Sequence, residues 1–267
     1  MVHNRQMATL DAILDSTRRE LPALRARTPE LERAAANRRR PPDFALALRR
    51  PTVALIAEVK RRSPSAGAIN ESLDPATLAR GYAAGGAAAI SVLTDRAFFG
   101  GSMADLDAVV AAVAAPVLRK DFILDESQVL EARAAGAAAV LLIVRALEQA
   151  VLRRLLNFTV TCGLTPLVEI HNAAEVARAL DAGATVIGVN ARDLDDFSID
   201  TQAAWRLLKT IPSDCIAIAE SGMVTVADVS AAGDAGADAV LIGSALAKAA
   251  DPVRRAGELS GILRRVR

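Results

Sequence analysis

The sequence predicts a closed (β/α)8 TIM barrel with an extra N-terminal helical segment, the 267 residues forming a single domain. Three observations carry this prediction. Eight short apolar runs recur along the chain, helical stretches separate them, and a glycine-containing phrase repeats at a near-constant interval. A length of about 250 residues is what one such barrel needs.

Residues 1–50 form the helical extension. They contain no glycine, and Leu10, Ile13, Leu14, Leu21 and Leu24 fall at helical spacing. Pro41-Pro42 marks a break. The apolar face of this segment is expected to pack across one rim of the barrel. The barrel itself occupies 52–250. Its strands are read at 53–58, 88–93, 116–119, 139–144, 166–170, 186–190, 216–219 and 239–242. Apolar residues run through them without alternation, as in a parallel sheet covered on both faces. The helical stretches 74–86, 126–136, 172–183 and 225–236 each end in glycine, which takes the left-handed conformation that stops a helix. Gly86, Gly136, Gly183 and Gly236 open similar Ala-Gly phrases and are separated by 50, 47 and 53 residues, two βα units each. No G-x-G-x-x-G follows the first strand, which argues against an open nucleotide-binding sheet.

Composition removes several function classes. The formal net charge is +1, so no global field draws nucleic acid or anionic lipid. Arg38-Arg39-Arg40 and Arg264-Arg265 are short clusters that read as solvated faces. Cys162 and Cys215 lack metal-type spacing and read as small hydrophobes. Apolar runs end after about eight residues, against the roughly 20 of a membrane helix. The first residues have no apolar signal-peptide region, and either Met1 or Met7 serves as a start. The expectation is a cytoplasmic protein, monomeric or weakly homo-oligomeric, with neither nucleic acid nor membrane as partner.

Active-site groups of such barrels occupy the carboxyl ends of the strands and the following loops. Those positions hold Glu58 and Lys60, Lys120, Glu169, Asn190 and Glu220. A charge ending an apolar strand is costly to desolvate unless it is paired or faces a site. One such residue is as readily a structural ion pair as a functional group. Five strands doing so at one rim point to a catalytic cluster, although Glu220 also fits as a neutralising partner for a lysine. After strands seven and eight, Ser221-Gly222 and Gly243-Ser244 lead into helices, the usual place for a phosphate in such a barrel. The loop after strand one, with Ser63, reads either as a ligand cover or as an ordinary surface loop. Phe98-Phe99 either shield an apolar ligand or pack beneath their loop, and Phe122 is placed to stack on an aromatic ring. His171 lacks companions at ligand spacing, so no metal is expected, and it reads as a helix-capping or surface residue. Neither a Ser-His-Asp constellation nor a P-loop is present.

Taken together, these motifs resemble the indole-3-glycerol phosphate synthase family over residues 8–255. The resemblance rests on Ile56-Ala57-Glu58-Val59-Lys60 with Ser63-Pro64-Ser65, Leu118-Arg119-Lys120-Asp121-Phe122, Leu167-Val168-Glu169-Ile170-His171, Gly188-Val189-Asn190-Ala191-Arg192, Ala219-Glu220-Ser221-Gly222 and Ile242-Gly243-Ser244. It implies conversion of 1-(2-carboxyphenylamino)-1-deoxyribulose 5-phosphate to indole-3-glycerol phosphate, carbon dioxide and water, without a cofactor. It also implies roles: Lys120 as the acid at the ketone oxygen, its pKa lowered by desolvation and neighbours, and Lys60 near the phosphate and the reacting sugar, assisting later proton transfer. Glu169 is implied as the base in dehydration, with Glu58 and Asn190 orienting Lys120 and the substrate. Arg192 would face the anthranilate carboxylate. Ser221, Gly222, Gly243 and Ser244 would hold the phosphate, and Phe122 and Leu142 would line the aromatic pocket. Arg119 and Ala191 depart from the residues common in that family, which leaves open a paralogue acting on a substituted anthranilate. The other readings are a phosphoribosylanthranilate isomerase-like barrel, disfavoured because neither cysteine ends a strand at the rim, and a catalytically silent phosphate-binding barrel.

Overall fold

The computed structural model describes residues 9–60, 62–63, 67–68 and 74–264. Eight parallel strands close into a barrel: β1 (Ala54–Val59), β2 (Ala89–Leu93), β3 (Val117–Lys120), β4 (Ala139–Ile143), β5 (Thr165–Ile170), β6 (Val186–Asn190), β7 (Ile216–Glu220) and β8 (Ala239–Ile242). Each pairs with its sequence neighbours, and β1 closes the ring against β8 with Ala54 opposite Ala239. The strands fall within a few residues of those expected. β3 and β7 run on to include Lys120 and Glu220, while β4 gives way at Ile143 to a 3-10 turn over Val144–Ala146.

Helices cover the outside. α4 (Pro75–Ala84), α5 (Met103–Ala112), α6 (Glu126–Ala135), α7 (Gln149–Thr161), α8 (Ala173–Asp181), α9 (Thr201–Leu208) and α10 (Val226–Asp234) follow strands one to seven; α11 (Ser244–Ala247) and α12 (Pro252–Glu258) follow β8. Side-chain caps start them as the sequence chemistry dictates. Asp125 with Gln128 and Thr225 with Asp228 form reciprocal capping boxes. The four repeat glycines Gly86, Gly136, Gly183 and Gly236 take φ of 96°, 90°, 91° and 104°.

Alternation along each strand divides the core in two. Ile56, Leu118, Leu167 and Ile218 are buried inside the barrel, whereas Leu55, Val140, Val168 and Ala217 pack outward under the helices. The extension preceding the barrel forms α1 (Leu10–Ala26), α2 (Thr28–Asn37) and α3 (Phe44–Leu48). Leu10, Ile13 and Leu14 are buried in one apolar cluster with Phe122, and Leu31 of α2 packs with Leu130 of α6. α1 lies against the loops after β2 and β3, where Thr17 and Leu21 share a cavity with Thr94, Asp95 and Asp121. It therefore flanks the carboxyl-end rim, but none of its residues lines the main cavity. The expected packing across the mouth is instead packing behind the wall that carries Phe122.

Among the described residues no helix is long and apolar enough to cross a membrane.

Candidate active site

The carboxyl end of the barrel opens into a cavity of about 370 Å³. Glu58, Lys120, Glu169 and Glu220 project into it from β1, β3, β5 and β7. Such barrels fill their interior with layers of four side chains taken from alternate strands. Two residues earlier on the same strands stand Ile56, Leu118, Leu167 and Ile218, an apolar layer beneath a charged one. Gly188 of β6 makes the charged layer fit, since a Cβ there would overlap the Glu220 carboxylate. Gly243 does the same for Glu58.

The charges are paired tightly. Lys120 Nζ lies 3.4 Å from both Glu169 Oε2 and Glu220 Oε2, and Lys60 Nζ lies 3.3 Å from Glu58 Oε1. Burial pulls the Lys120 pKa down, but Glu169, Glu220 and Glu58 outweigh it and raise it. This corrects the expectation that neighbours lower it: three carboxyl groups converge on one ammonium, so Lys120 stays protonated. Burial acts to raise Glu169, yet Lys120, His171 and a hydrogen bond from Asn190 hold it below its ordinary range. Glu220 is pushed up to about 8 by burial, despite Lys120, with Glu169 and Glu58 adding to the rise. The cluster thus pushes the two carboxyl groups apart on either side of one ammonium, Glu169 downward and Glu220 upward.

The rest of the cavity is divided. One wall is apolar, with Leu93, Phe99, Phe122, Leu141, Ile143 and Leu194. Phe99 and Phe122 have ring centroids 6.1 Å apart. Phe99 is set by Asp95, whose carboxylate accepts from the N–H groups of Phe98 and Phe99 at 2.7 and 3.0 Å. Phe98 packs into the core and does not line the cavity, so the two loop phenylalanines divide the roles the sequence left open. On the opposite side stand Ser221 and Gly222, both at positive φ, and Gly243, the N-cap of α11. The first N–H groups of a helix have no partner within it, so those of Ser244 and Ala245 are available to an anion. Lys248 lines the cavity beside them and was not singled out by sequence. Arg192 also lines it, with Nη1 donating to the Phe197 carbonyl at 3.0 Å, and Asn190 Oδ1 accepts from the Arg192 N–H at 3.1 Å.

Some expectations are corrected. Leu142 is fully buried in the outer core, facing the helices; its neighbours Leu141 and Ile143 face the cavity. The register decides this, because Ile143 stands opposite the inward-facing Glu169. His171 is neither at the surface nor a cap: its side chain is 4% exposed and lies between Glu169 and Glu175, while Asn172 caps α8. Ser63 pairs through the backbone in a short antiparallel ladder, Arg62–Ser63 with Gly67–Ala68; its side chain lies outside the described residues, as do Pro64 and Ser65. The two departures, Arg119 and Ala191, face away from the cavity. Arg119 bonds Asp121, Glu131 and the Gln128 carbonyl beneath α6, and Ala191 joins the outer core. Among the described residues no group of three or more His, Cys, Asp or Glu is placed to hold a metal ion.

Comparison with known proteins places this site in context. Among solved structures, 3-hexulose-6-phosphate synthase from Salmonella typhimurium superimposes with a TM-score of 0.60 at 20% identity, covering 78% of this chain and 97% of that one. Thiamine phosphate pyrophosphorylase from Pyrococcus furiosus gives 0.58 at 16% identity, covering 79% and 95%. At such identities the likeness is one of fold. Sequence relatives are much nearer. The chain is 51% identical over 245 residues to indole-3-glycerol phosphate synthase of Mycobacteroides abscessus, covering 91% of this chain and 90% of the relative. It is 50% identical over 255 residues to indole-3-glycerol phosphate synthase 1 of Streptomyces coelicolor, covering 95% of each. The family model for indole-3-glycerol phosphate synthase matches residues 10–259, nearly all of the described fold. The chain belongs to the indole-3-glycerol phosphate synthase family.

Proposed function

We propose that this cavity closes, decarboxylates and dehydrates 1-(2-carboxyphenylamino)-1-deoxyribulose 5-phosphate to indole-3-glycerol phosphate, with Lys120 as acid and Glu169 as base. The observation that carries the assignment is the Lys120 ammonium, 3.4 Å from both Glu169 and Glu220 in a cavity with one aromatic wall and one anion-receptive turn.

The chemistry asks for three things in sequence. The aromatic carbon bearing the carboxylate attacks the ketone carbon, and Lys120 donates a proton to the ketone oxygen as the bond forms. An ammonium with a raised pKa is a weak acid, but the developing alkoxide is a far stronger base than an amine, so transfer is downhill. Carbon dioxide then leaves, and the electrons of the broken bond restore the aromatic ring. Finally the new hydroxyl takes a proton from Lys60 and departs as water while Glu169, kept ionised, takes the proton released as the indole double bond forms. Its charge also faces the positive charge that builds on the anilino nitrogen.

Binding divides by region. Phe99 and Phe122 take the anthranilate ring, and Arg192 its carboxylate. Ser221, Gly222, Gly243 and Ser244 take the phosphate, with Lys60 close by. Glu58 holds Lys60 and, with Asn190, orients the acid and base. The enzyme family fits a phosphorylated small-molecule substrate.

Mixing the protein with the anilino substrate should produce indole fluorescence at a rate that collapses in Lys120→Met and Glu169→Gln. Wild-type protein that produces none would end this assignment.

A further inference from the structure

His171 is used by none of these steps, yet it is one of the most deliberately placed side chains in the molecule. It follows Glu169 by two on the same inward face, at the end of β5. Its Nε2 lies 3.4 Å from Glu169 Oε1, and its Nδ1 lies 3.4 Å from Glu175 Oε2 on α8. The ring is almost wholly buried, and Nε2 has no hydrogen-bond partner of regular geometry, so the Glu169 carboxylate is the polar group it faces. Burying a nitrogen without a partner is costly, which requires a reason for its orientation.

Glu175 is itself anchored. It accepts from the His171 N–H at 2.8 Å and from Asn172 Nδ2 at 2.8 Å, and its Oε1 lies 3.6 Å from Arg145 Nε. Arg145 reaches on to Asp193 and Asp195, in the loop that carries Arg192. Asn172 caps α8, and the backbone N–H of position 171 alone would serve to hold Glu175. The imidazole adds a second contact, toward the base.

We infer that His171 is a positioning residue for Glu169: held by Glu175, it fixes the carboxylate and keeps it ionised for dehydration. The ring stands between the two carboxylates, with one nitrogen toward each. The groups facing Glu169 are Lys120 from β3, Asn190 from β6 and His171, with Glu220 of β7 beyond Lys120. Those facing His171 are Glu169 and Glu175, with Arg145 behind Glu175. Lys120 is committed to proton donation, so His171 is the neighbour that continues to face Glu169 when Lys120 gives up its proton. Consistent with this, His171 is among the groups that hold the Glu169 pKa down.

The inference rests on the reading of Glu169 as the base, and the test separates the two. kcat and KM are measured against pH for wild type, Glu169→Gln, His171→Gln, Glu175→Gln and the double variant His171→Gln/Glu175→Gln, with Tm as the check on folding. Loss of the imidazole raises the Glu169 pKa, so the acidic limb of kcat should move up by about 1 pH unit or more. KM should change little. Glu175→Gln keeps a side-chain oxygen that can accept from the His171 N–H but loses the charge, so it should shift the limb the same way. The double variant should shift it no further than His171→Gln alone, because both act through one ring. If Glu169→Gln leaves kcat unchanged, the base assignment fails and this inference with it. If Glu169→Gln collapses kcat while His171→Gln and Glu175→Gln, stably folded, keep the wild-type pH profile, His171 is structural and the inference alone is overturned.

Discussion

The Lys120 ammonium on β3 and the Glu169 carboxylate on β5 meet at 3.4 Å across the strand, β4, that separates them in the barrel wall. Neither could be buried alone, since an isolated charge at 1% side-chain exposure, as for Glu169, is not stable in a protein interior. Each is therefore a condition of the other's placement, and together they put an acid and a base within reach of one bound molecule.

Lys120→Met keeps the length and apolar stem of the side chain while removing proton and charge. Removing a positioned acid costs about 10²–10⁴-fold in rate. kcat should fall by that order while KM moves far less, because the lost interaction is strongest in the transition state. Single-turnover kinetics, with circular dichroism as the check on folding, will decide it; ring closure within a few-fold of wild type would transfer the role to Lys60.

Glu169→Gln should slow the last step specifically. A decarboxylated, still hydroxylated intermediate should then accumulate in quenched-flow samples. Equal slowing of carbon dioxide release and indole formation would show that Glu169 acts earlier.

Gly243→Val should raise KM steeply with a smaller effect on kcat. Any Cβ at this position overlaps the Glu58 carboxylate, and the position is the N-cap of α11. Inorganic phosphate should compete with substrate in wild type, and its inhibition constant should rise in the variant. Purely noncompetitive inhibition by phosphate would move the anion site elsewhere.

Glu220 links pH to stability. Its carboxyl titrates near 8 in the folded protein against 4.5 ordinarily, chiefly through burial. A carboxyl with a raised folded pKa contributes stability that is full below its ordinary pKa and is lost as pH rises through the folded value. Wild-type Tm should therefore fall between about pH 5 and 9 relative to Glu220→Gln, which has nothing to ionise. Parallel Tm curves for the two proteins would contradict the raised pKa.

Ile13→Ala tests the extension. Ile13 is 2% exposed and belongs to the cluster that contains Phe122. The truncation should destabilise by about 2–5 kcal/mol, by denaturant titration. KM should also rise as the aromatic wall loses its backing, with kcat little changed. Unaltered KM in a destabilised variant would confine the extension to a structural role.

The sequence alone determined the barrel and the charged residues at its rim, because both follow from local rules. An apolar run buried on both faces is a parallel strand, a glycine at positive φ stops a helix, and a charge at the end of an apolar strand must meet a partner. Glu58, Lys60, Lys120, Glu169, Asn190 and Glu220 were legible for that reason. What depended on other strands was not. β4 ends without a polar residue to mark its inward face, so only its register against Glu169 shows that Leu141 and Ile143, not Leu142, meet the cavity. Arg119 stands beside Lys120 in sequence but on the opposite face of β3, where α6 supplies Glu131. The protonation of Lys120 hangs on three carboxylates from three other strands, whose summed field exceeds the desolvation that a lone buried lysine would feel. His171 gained its place from Glu175, brought under it by the first turn of α8. Electrostatic coupling acts through space, and only the closed ring of strands sets those distances.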